Sequence, residues 1–381
     1  MSQPLTIVAD KQILLAEETF SRFGRVKLID GRSLDNSTIK NADVLLVRSV
    51  TKVDFSLLKD SKVGFIGSAT SGIDHIDTKY LKKNNIIFVH APGSNARSVA
   101  EYVLSSLFAI AEYENFDISK KTVGIIGYGQ VGSKVKYFLE SVGTKCLLND
   151  PPLAEQESTE SYQELEQILK ADIITLHVPL TTGGQYPTSQ LINESFLDKL
   201  KPNVILINTS RGEVVDESAL LSFKATNPDA TLILDVWCNE PEININLLKQ
   251  CFIGTPHIAG YSYDGKLKAT EILAKALSKH TKNMSNNVDV CSLESINNTI
   301  ECDDDAAVQL AVMQAYDVRS DAVALRELVS MPTIEHGIYF DNLRKNYPIR
   351  REFTNKKINT KKMNKAMRQC LSELGFKTGP T

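Results

Sequence analysis

The sequence predicts an α/β protein: two tandem parallel-sheet domains followed by a small C-terminal α+β module. Three observations carry this reading. Short β-rich runs alternate with helical stretches, the pattern of a parallel sheet flanked by helices. The runs fall into two series separated by one long helical segment. Past residue 281 the composition turns rich in Asn and Ser (TKNMSNNVDVCSLESINNTI), and a different rhythm then runs to the C-terminus.

The first series places strands at residues 5–9, 25–29, 44–47, 63–66 and 86–89. The stretch 98–114, SVAEYVLSSLFAIAEYE, has apolar residues at helical spacing and reads as the helix joining the two units. The second series places strands at 123–126, 145–148, 173–177, 204–208, 231–236 and 251–254, and a helix over 264–280 that returns the chain to the first unit. The segment 281–300 reads as a connector, and YDVRSDAVALRE and FDNLRKNYPIRREF belong to the third module. The expected domains are therefore 1–96, completed by 260–285; 97–259; and 286–381.

Composition excludes several classes. In 381 residues, 42% are apolar, 23% are charged and the formal net charge is -3, which fits a globular protein and argues against a nucleic-acid-binding surface. No run approaches the ~20 apolar residues of a membrane span, and MSQPLTIVADKQ lacks the basic start and apolar stretch of a signal peptide, so a cytoplasmic protein is expected. The cysteines Cys146, Cys238, Cys251, Cys291, Cys302 and Cys370 are scattered without a C-x-x-C pair. Neither a disulfide framework nor a metal site is expected.

The stretch 124–135, GIIGYGQVGSKV, carries the first functional signal. A strand leads into Gly127-Tyr128-Gly129-Gln130-Val131-Gly132, and a helix over 133–141 follows. In that setting Gly127 serves the tight turn, Gly129 the close approach of backbone to a pyrophosphate, and Gly132 the helix-strand contact, with the helix N-terminus favouring the anion. The next strand ends at Asn149-Asp150. Asp150 can accept hydrogen bonds from ribose hydroxyls, and Pro151-Pro152-Leu153-Ala154 supplies no arginine for a 2′-phosphate, so NAD is favoured over NADP.

Three further residues each lie just past a predicted strand, the edge at which open α/β sheets bind ligands. Arg211, in NTSRG, has the planar fork that grips a carboxylate. Glu240 lies in DVWCNEP and His257 in TPHIAG. Together they meet the needs of 2-hydroxy acid oxidation: charge pairing, a proton acceptor, and an acid that orients the imidazole and stabilises its charged form. Singly, each has a plainer reading as a surface cation, a turn residue or a loop histidine. Their joint placement after successive strands favours chemistry. His177, in LHVPLT, reads as a wall of the cofactor pocket, while His75, His90, His280 and His336 have no adjacent acid pattern.

The glycine fingerprint, NTSRGEVVDE, DVWCNEP and TPHIAGYS resemble the D-isomer-specific 2-hydroxyacid dehydrogenase family over residues 1 to about 285. The resemblance implies two Rossmann-like/flavodoxin-like domains, NAD as cofactor, and catalysis by Arg211, Glu240 and His257. It makes Gln130 and Val131 part of the cofactor loop, Asp235 the acid near the nicotinamide carboxamide, and Ser210 and Gly260 lining of the same pocket. Val178 departs from it, standing where relatives often carry a Thr hydroxyl. Further segments, RSVTKV, GSATSGIDHID and HIAGYSYDGK with the C-terminal module, resemble a branch that acts on a small phosphorylated hydroxy acid. That narrower resemblance makes Ser49, Thr70 and Tyr261 substrate contacts and the final module a homodimerisation domain. For the phosphate, Arg48, Ser49, Thr51 and Lys52 form one candidate set; Arg344, Lys345, Arg350 and Arg351 form a second, or else a solvated basic face. A 3-phosphoglycerate or glyoxylate/hydroxypyruvate dehydrogenase, and an NAD-sensing corepressor on the same fold, are the alternatives.

Overall fold

The structure is a computed structural model that describes residues 4–156, 161–281, 299–301, 307–359 and 363–379. Cys291, Cys302 and most of the connector expected at 281–300 lie outside these residues. The chain forms two compact units, one built from Met1–Asn95 and Ser262–Glu294, the other from Ala96–Tyr261 and Ser295–Thr381. Among the described residues no helix is long and apolar enough to cross a membrane.

In the first unit, β1 (Leu5–Asp10), β2 (Gly24–Ile29), β3 (Val44–Val47), β4 (Phe65–Ser68) and β5 (Ile87–His90) form an all-parallel sheet in the order β2-β1-β3-β4-β5. Successive side chains of a strand point to opposite faces, and here both faces are covered. Ile7, Ala9, Leu46 and Phe65 meet Leu273, Ala274 and Leu277 of the helix Tyr263–His280. Val8, Leu45, Val47 and Ile66 meet Ile39, Leu57, Leu58 and Leu81 on the other side. Residues 63–66 were the expected fourth strand, yet pairing runs from Val44 opposite Phe65 to Val47 opposite Ser68. The Gly67-Ser68 pair lies past the end of that expected strand; in the fold Ser68 is fully buried and its Oγ lies 2.9 Å from His75 Nε2.

In the second unit, β6 (Thr122–Ile126), β7 (Lys145–Asn149), β8 (Ile173–Leu176), β9 (Ile205–Asn208), β10 (Thr231–Leu234) and β11 (Ile253–Gly254) are parallel, in the order β11-β10-β9-β8-β6-β7. Beyond β7 a single parallel bridge joins Leu148 to Tyr162, the remnant of one more strand that sequence reading did not find. With that remnant counted, the order is that of a dinucleotide-binding sheet, and its switch point lies between β6 and β8. The helix Ala96–Glu114 buries fifteen of its nineteen residues, so it shows no solvent face over most of its length. The reason is the C-terminal segment. Its Val312, Val318, Phe353 and Phe376 share one core with Val103 and Leu107 of that helix and with Ile125 and Ile207 of the sheet. The segment also contributes a small parallel sheet, β12 (Thr299–Glu301), β13 (Lys357–Asn359) and β14 (Lys377–Gly379), in the order β12-β13-β14.

Polar ties reinforce this junction. Arg97 Nη1 donates to Leu374 O at 2.9 Å, Ser98 Oγ to Glu352 Oε1 at 2.9 Å, and Phe353 N to Glu101 Oε1 at 2.8 Å. Arg350 donates to the carbonyls of Ala259 and Ser98 and lies 3.7 Å from the centre of the Tyr316 ring. Burial pushes the Glu101 carboxyl up to about 8, with the Glu352 charge adding to the effect and Arg350 opposing it. A carboxyl whose folded value lies above its unfolded 4.5 stabilises the fold fully below pH 4.5 and loses that contribution as pH rises through 8. Stability of the protein should therefore fall between these limits, by at most ~1.4 kcal/mol per pH unit from this group. Glu101→Gln should flatten that slope in denaturant unfolding at pH 6 and pH 8.5; an unchanged slope would contradict the assignment.

Candidate active site

The cofactor loop begins where β6 ends. Gly127 has φ +90°, donates its N–H to Asn149 O at 2.9 Å, and would place a Cβ 2.7 Å from the His177 carbonyl, so a side chain is excluded twice over. Gly132, in the first turn of the helix Gln130–Ser141, would place a Cβ 2.0 Å from Gly127 O. Gly129 caps that helix and is the opposite case: a Cβ there meets nothing within 4 Å. Tight turn, close packing and open approach are thus divided among three glycines. Gln130 and Val131 follow in the same first turn. Asp150, at the end of β7, accepts the Tyr128 N–H on Oδ2 at 2.7 Å and the Leu153 N–H on Oδ1 at 3.1 Å. Each oxygen keeps a lone pair.

Opposite, the segment after β8 carries His177 and Val178, whose Cγ1 would lie 2.9 Å from a Cβ on Gly127. His177 sits between Thr175 Oγ1 at 2.9 Å and Thr209 Oγ1 at 3.1 Å, and burial drives its imidazole down to about 3. It is therefore a neutral hydrogen-bonding post.

Arg211, Glu240 and His257 follow the ends of β9, β10 and β11, which are neighbours in the sheet. Asn208 shapes the first turn: its Oδ1 accepts Ser210 N and Oγ, and its Nδ2 donates to Arg211 O. Arg211 Nη1 donates to Ser210 O at 2.6 Å. The next residue, Gly212, is pressed against the following loop, and a Cβ there would lie 2.0 Å from the Trp237 carbonyl carbon. Gly212→Ala must displace the backbone that leads to Glu240. It should cost about 1–3 kcal/mol in unfolding free energy and lower turnover together with it. An alanine variant as stable as the parent would contradict this contact.

Asp235 organises the histidine loop. Its backbone O accepts the His257 N–H at 2.8 Å, Oδ1 accepts Thr255 Oγ1 and Ile258 N at 2.7 Å each, and Oδ2 accepts Ala259 N at 2.9 Å. Burial pushes its carboxyl above the ordinary value, while the His257 charge and these hydrogen bonds pull the other way. His257 takes a left-handed backbone (φ 57°), a conformation uncommon for a residue with a side chain and here held by Asp235.

His257 Nδ1 lies 2.8 Å from Glu240 Oε2, and Glu240 Oε1 accepts Trp237 N at 3.0 Å. A carboxylate only accepts, so Nδ1 carries the proton, and in the neutral ring Nε2 keeps a lone pair. Burial by itself would raise the Glu240 carboxyl; the charge and hydrogen bond of His257, then the Arg344 charge, outweigh it and hold Glu240 below its ordinary value. Gly260 and Tyr261 complete the same loop, and Arg344 Nη2 donates to Tyr261 Oη at 3.1 Å.

Two expected contacts belong to the first unit. Ser49 is exposed on the turn after β3, and Thr70 Oγ1 donates to Gly72 O at 2.7 Å. Of their neighbours, Arg48 Nε is paired with the buried Asp10 at 2.9 Å, Thr51 Oγ1 donates to Gly31 O at 2.8 Å, and Lys52 Nζ sits 3.1 Å from Asp54. The C-terminal basic set divides: Arg350 and Arg351 are buried, Lys345 is exposed, and Arg344 reaches Tyr261. Neither a solvated face nor an anion site describes Arg350, which is spent on Ser98, Ala259 and Tyr316. Sequence reading missed the struts Thr255 and Trp237, whose Nε1 donates to Thr255 O at 2.9 Å.

Residues 80–259 match the profile of the D-isomer specific 2-hydroxyacid dehydrogenase, NAD binding domain, and residues 288–375 match a domain of unknown function. Among solved structures, the D-lactate dehydrogenase of Aquifex aeolicus complexed with NAD and lactic acid aligns at TM-score 0.60 and 26% identity, over 76% of this chain and 100% of its own. The NAD+-bound 3-phosphoglycerate dehydrogenase of Entamoeba histolytica aligns at TM-score 0.63 and 26% identity, over 76% of this chain and 99% of its own. Fold, profile and cofactor loop thus define the class, a D-isomer specific 2-hydroxyacid dehydrogenase with an NAD-binding domain. The erythronate-4-phosphate dehydrogenase of Marinobacter nauticus is 41% identical, over 98% of this chain and 99% of its own, and that of Hahella chejuensis is 40% identical over the same shares. The chain belongs to the erythronate-4-phosphate dehydrogenase family.

Proposed function

We propose that this protein oxidises the C2 hydroxyl of 4-phospho-D-erythronate with NAD, giving (R)-3-hydroxy-2-oxo-4-phosphobutanoate, a step in pyridoxal 5′-phosphate biosynthesis. The observation that carries the chemistry is the 2.8 Å contact between His257 Nδ1 and Glu240 Oε2. It fixes one imidazole tautomer and leaves Nε2 as the proton acceptor. His257 removes the C2 hydroxyl proton, Glu240 balances the imidazolium that results, and Arg211 holds the C1 carboxylate so that the C2 hydrogen is presented in one orientation.

NAD, when bound, accepts the hydride leaving C2. The residues present fit it: Gly127, Gly129, Gln130, Val131 and Gly132 offer an open helix N-terminus to the pyrophosphate, and Asp150 has lone pairs for the ribose. Ser210, Asp235, Gly260 and Val178 belong to the same pocket in this reading. Asp235 spends three acceptor positions on the histidine loop, so the carboxamide is left only a remaining lone pair. Ser49, Thr70 and Tyr261 are the proposed substrate contacts.

By this reading residues 1–96 with 260–285 are the substrate domain, 97–259 the NAD-binding domain and 286–381 a homodimerisation domain, in a cytoplasmic protein. Exposed Val323, Ile334, Ile338 and Ile349 support the dimer. The test is NADH formation from NAD with a panel of hydroxy acids. Turnover of 4-phospho-D-erythronate well ahead of 3-phosphoglycerate, glycerate and D-lactate is expected. Preference for one of the others would transfer the activity within the family, and no turnover of any would favour a cofactor-sensing role.

A further inference from the structure

Arg344 lies in the last turn of the helix His336–Lys345 and among the described residues makes one hydrogen bond, Nη2 to Tyr261 Oη at 3.1 Å. Its Cζ is 5.6 Å from the centre of the Tyr261 ring and 6.0 Å from that of the fully buried Phe340. Its Nε is buried and has no hydrogen-bond partner among the described residues. A guanidinium has five N–H donors and loses hydration when packed against rings, so one phenol as acceptor leaves it under-satisfied. The carboxylate that acts on it from the site is Glu240, but both Glu240 oxygens are engaged, by His257 and Trp237. Such a cation, beside a catalytic pair it does not hydrogen-bond, is built to receive an anion from outside the protein.

The solved D-lactate and 3-phosphoglycerate dehydrogenases align over all or nearly all of their own chains but only 76% of this one. The dehydrogenase core proper is matched over residues 80–259, and the separate profile that contains Arg344 starts at 288. In the proposed reaction Arg211 takes the C1 carboxylate, which leaves the phosphate on C4 without a cation on this unit. Arg350 and Arg351 are buried, and Lys345 is exposed.

We propose that Arg344, presented by the C-terminal segment and steadied by Tyr261, binds the substrate's terminal phosphate and so selects the phosphorylated four-carbon hydroxy acid. This rests on the dehydrogenase reading of Arg211, Glu240 and His257. The guanidinium supplies charge-assisted N–H···O bonds, which a neutral side chain of similar length cannot.

The test compares Arg344→Gln, Arg344→Lys and, as a control on the adjacent exposed cation, Lys345→Gln, all in the full-length chain. KM and kcat for 4-phospho-D-erythronate, inhibition by inorganic phosphate, and NADH affinity are measured for each. Arg344→Gln is expected to raise KM about 10- to 100-fold and weaken phosphate inhibition in parallel, with kcat changed only a few-fold and NADH affinity retained. Arg344→Lys should recover part of the loss, and Lys345→Gln should behave as the parent. Unchanged KM and phosphate inhibition in Arg344→Gln would overturn the proposal. So would a fall in kcat at constant KM with a displaced pH profile, which would mark Arg344 as a partner of Glu240 instead. If Arg344→Gln loses NADH binding, Arg344→Lys decides by the same split. If the parent protein does not turn over 4-phospho-D-erythronate, the functional reading fails separately, and calorimetry with inorganic phosphate still judges Arg344: equal binding by parent and Arg344→Gln, or none by either, rejects it.

Discussion

Replacing His257 with alanine should lower kcat for 4-phospho-D-erythronate oxidation by about 10²- to 10⁴-fold, the range expected for loss of a positioned general base. The fold should survive, because the loop is held by Asp235 through the His257, Ile258 and Ala259 backbone N–H groups, none of which the substitution removes. A left-handed backbone at φ 57° is tolerated less well by alanine than by histidine, so a small loss of stability is expected alongside. The charge and hydrogen bond of His257 outweigh burial and hold Glu240 below its ordinary carboxyl value, so it stays ionised at neutral pH. Its own stabilising contribution is present above the unfolded carboxyl value and is lost only as pH falls through the folded one. An undiminished kcat in His257→Ala, with the chemical step rate-limiting, would remove His257 from its role.

Arg211→Gln is the second large effect. A bidentate grip on the C1 carboxylate is worth two charge-assisted hydrogen bonds, each about 1.5–3 kcal/mol, so kcat/KM should drop about 10²- to 10⁴-fold. Arg211→Lys keeps the charge but not the planar fork and should recover only part of it. Turn geometry should persist in both, since Asn208 binds the Arg211 carbonyl and the Ser210 N–H rather than the guanidinium. A KM for NAD that rises while the KM for substrate stays constant would assign Arg211 to the cofactor instead.

What the sequence discloses here follows from how local each signal is. The Gly127–Gly132 turn and Asp150 are legible because their structural demands sit within a few residues of one another. Arg211, Glu240 and His257 are legible as strand-end residues, because parallel strands align their C-terminal ends on one edge. The boundary of β4 is not, since Gly67 and Ser68 lie past the end of the expected strand and are drawn into the sheet by pairing with Leu46 and Val47. The strand remnant at Tyr162 is a one-residue bridge and leaves no periodicity. The basic cluster is the clearest failure of local reading. Arg344, Lys345, Arg350 and Arg351 look alike in sequence, and only contacts to Tyr261, Ser98 and Ala259, each more than eighty residues away, distinguish Arg344 from the buried Arg350. The resemblance expects Asp235 in the cofactor pocket; its three side-chain acceptor bonds to the histidine loop are a further role that local reading does not disclose.

A single-turnover experiment tests the central claim most directly. The protein, NAD and 4-phospho-D-erythronate deuterated at C2 are mixed, and formation of reduced cofactor is followed in parent and His257→Ala. Deuterium should appear in the reduced cofactor, more slowly than protium from unlabelled substrate, and the burst should vanish in the variant. Reduced cofactor without the label, or an undiminished burst in His257→Ala, would contradict transfer from C2 assisted by this imidazole.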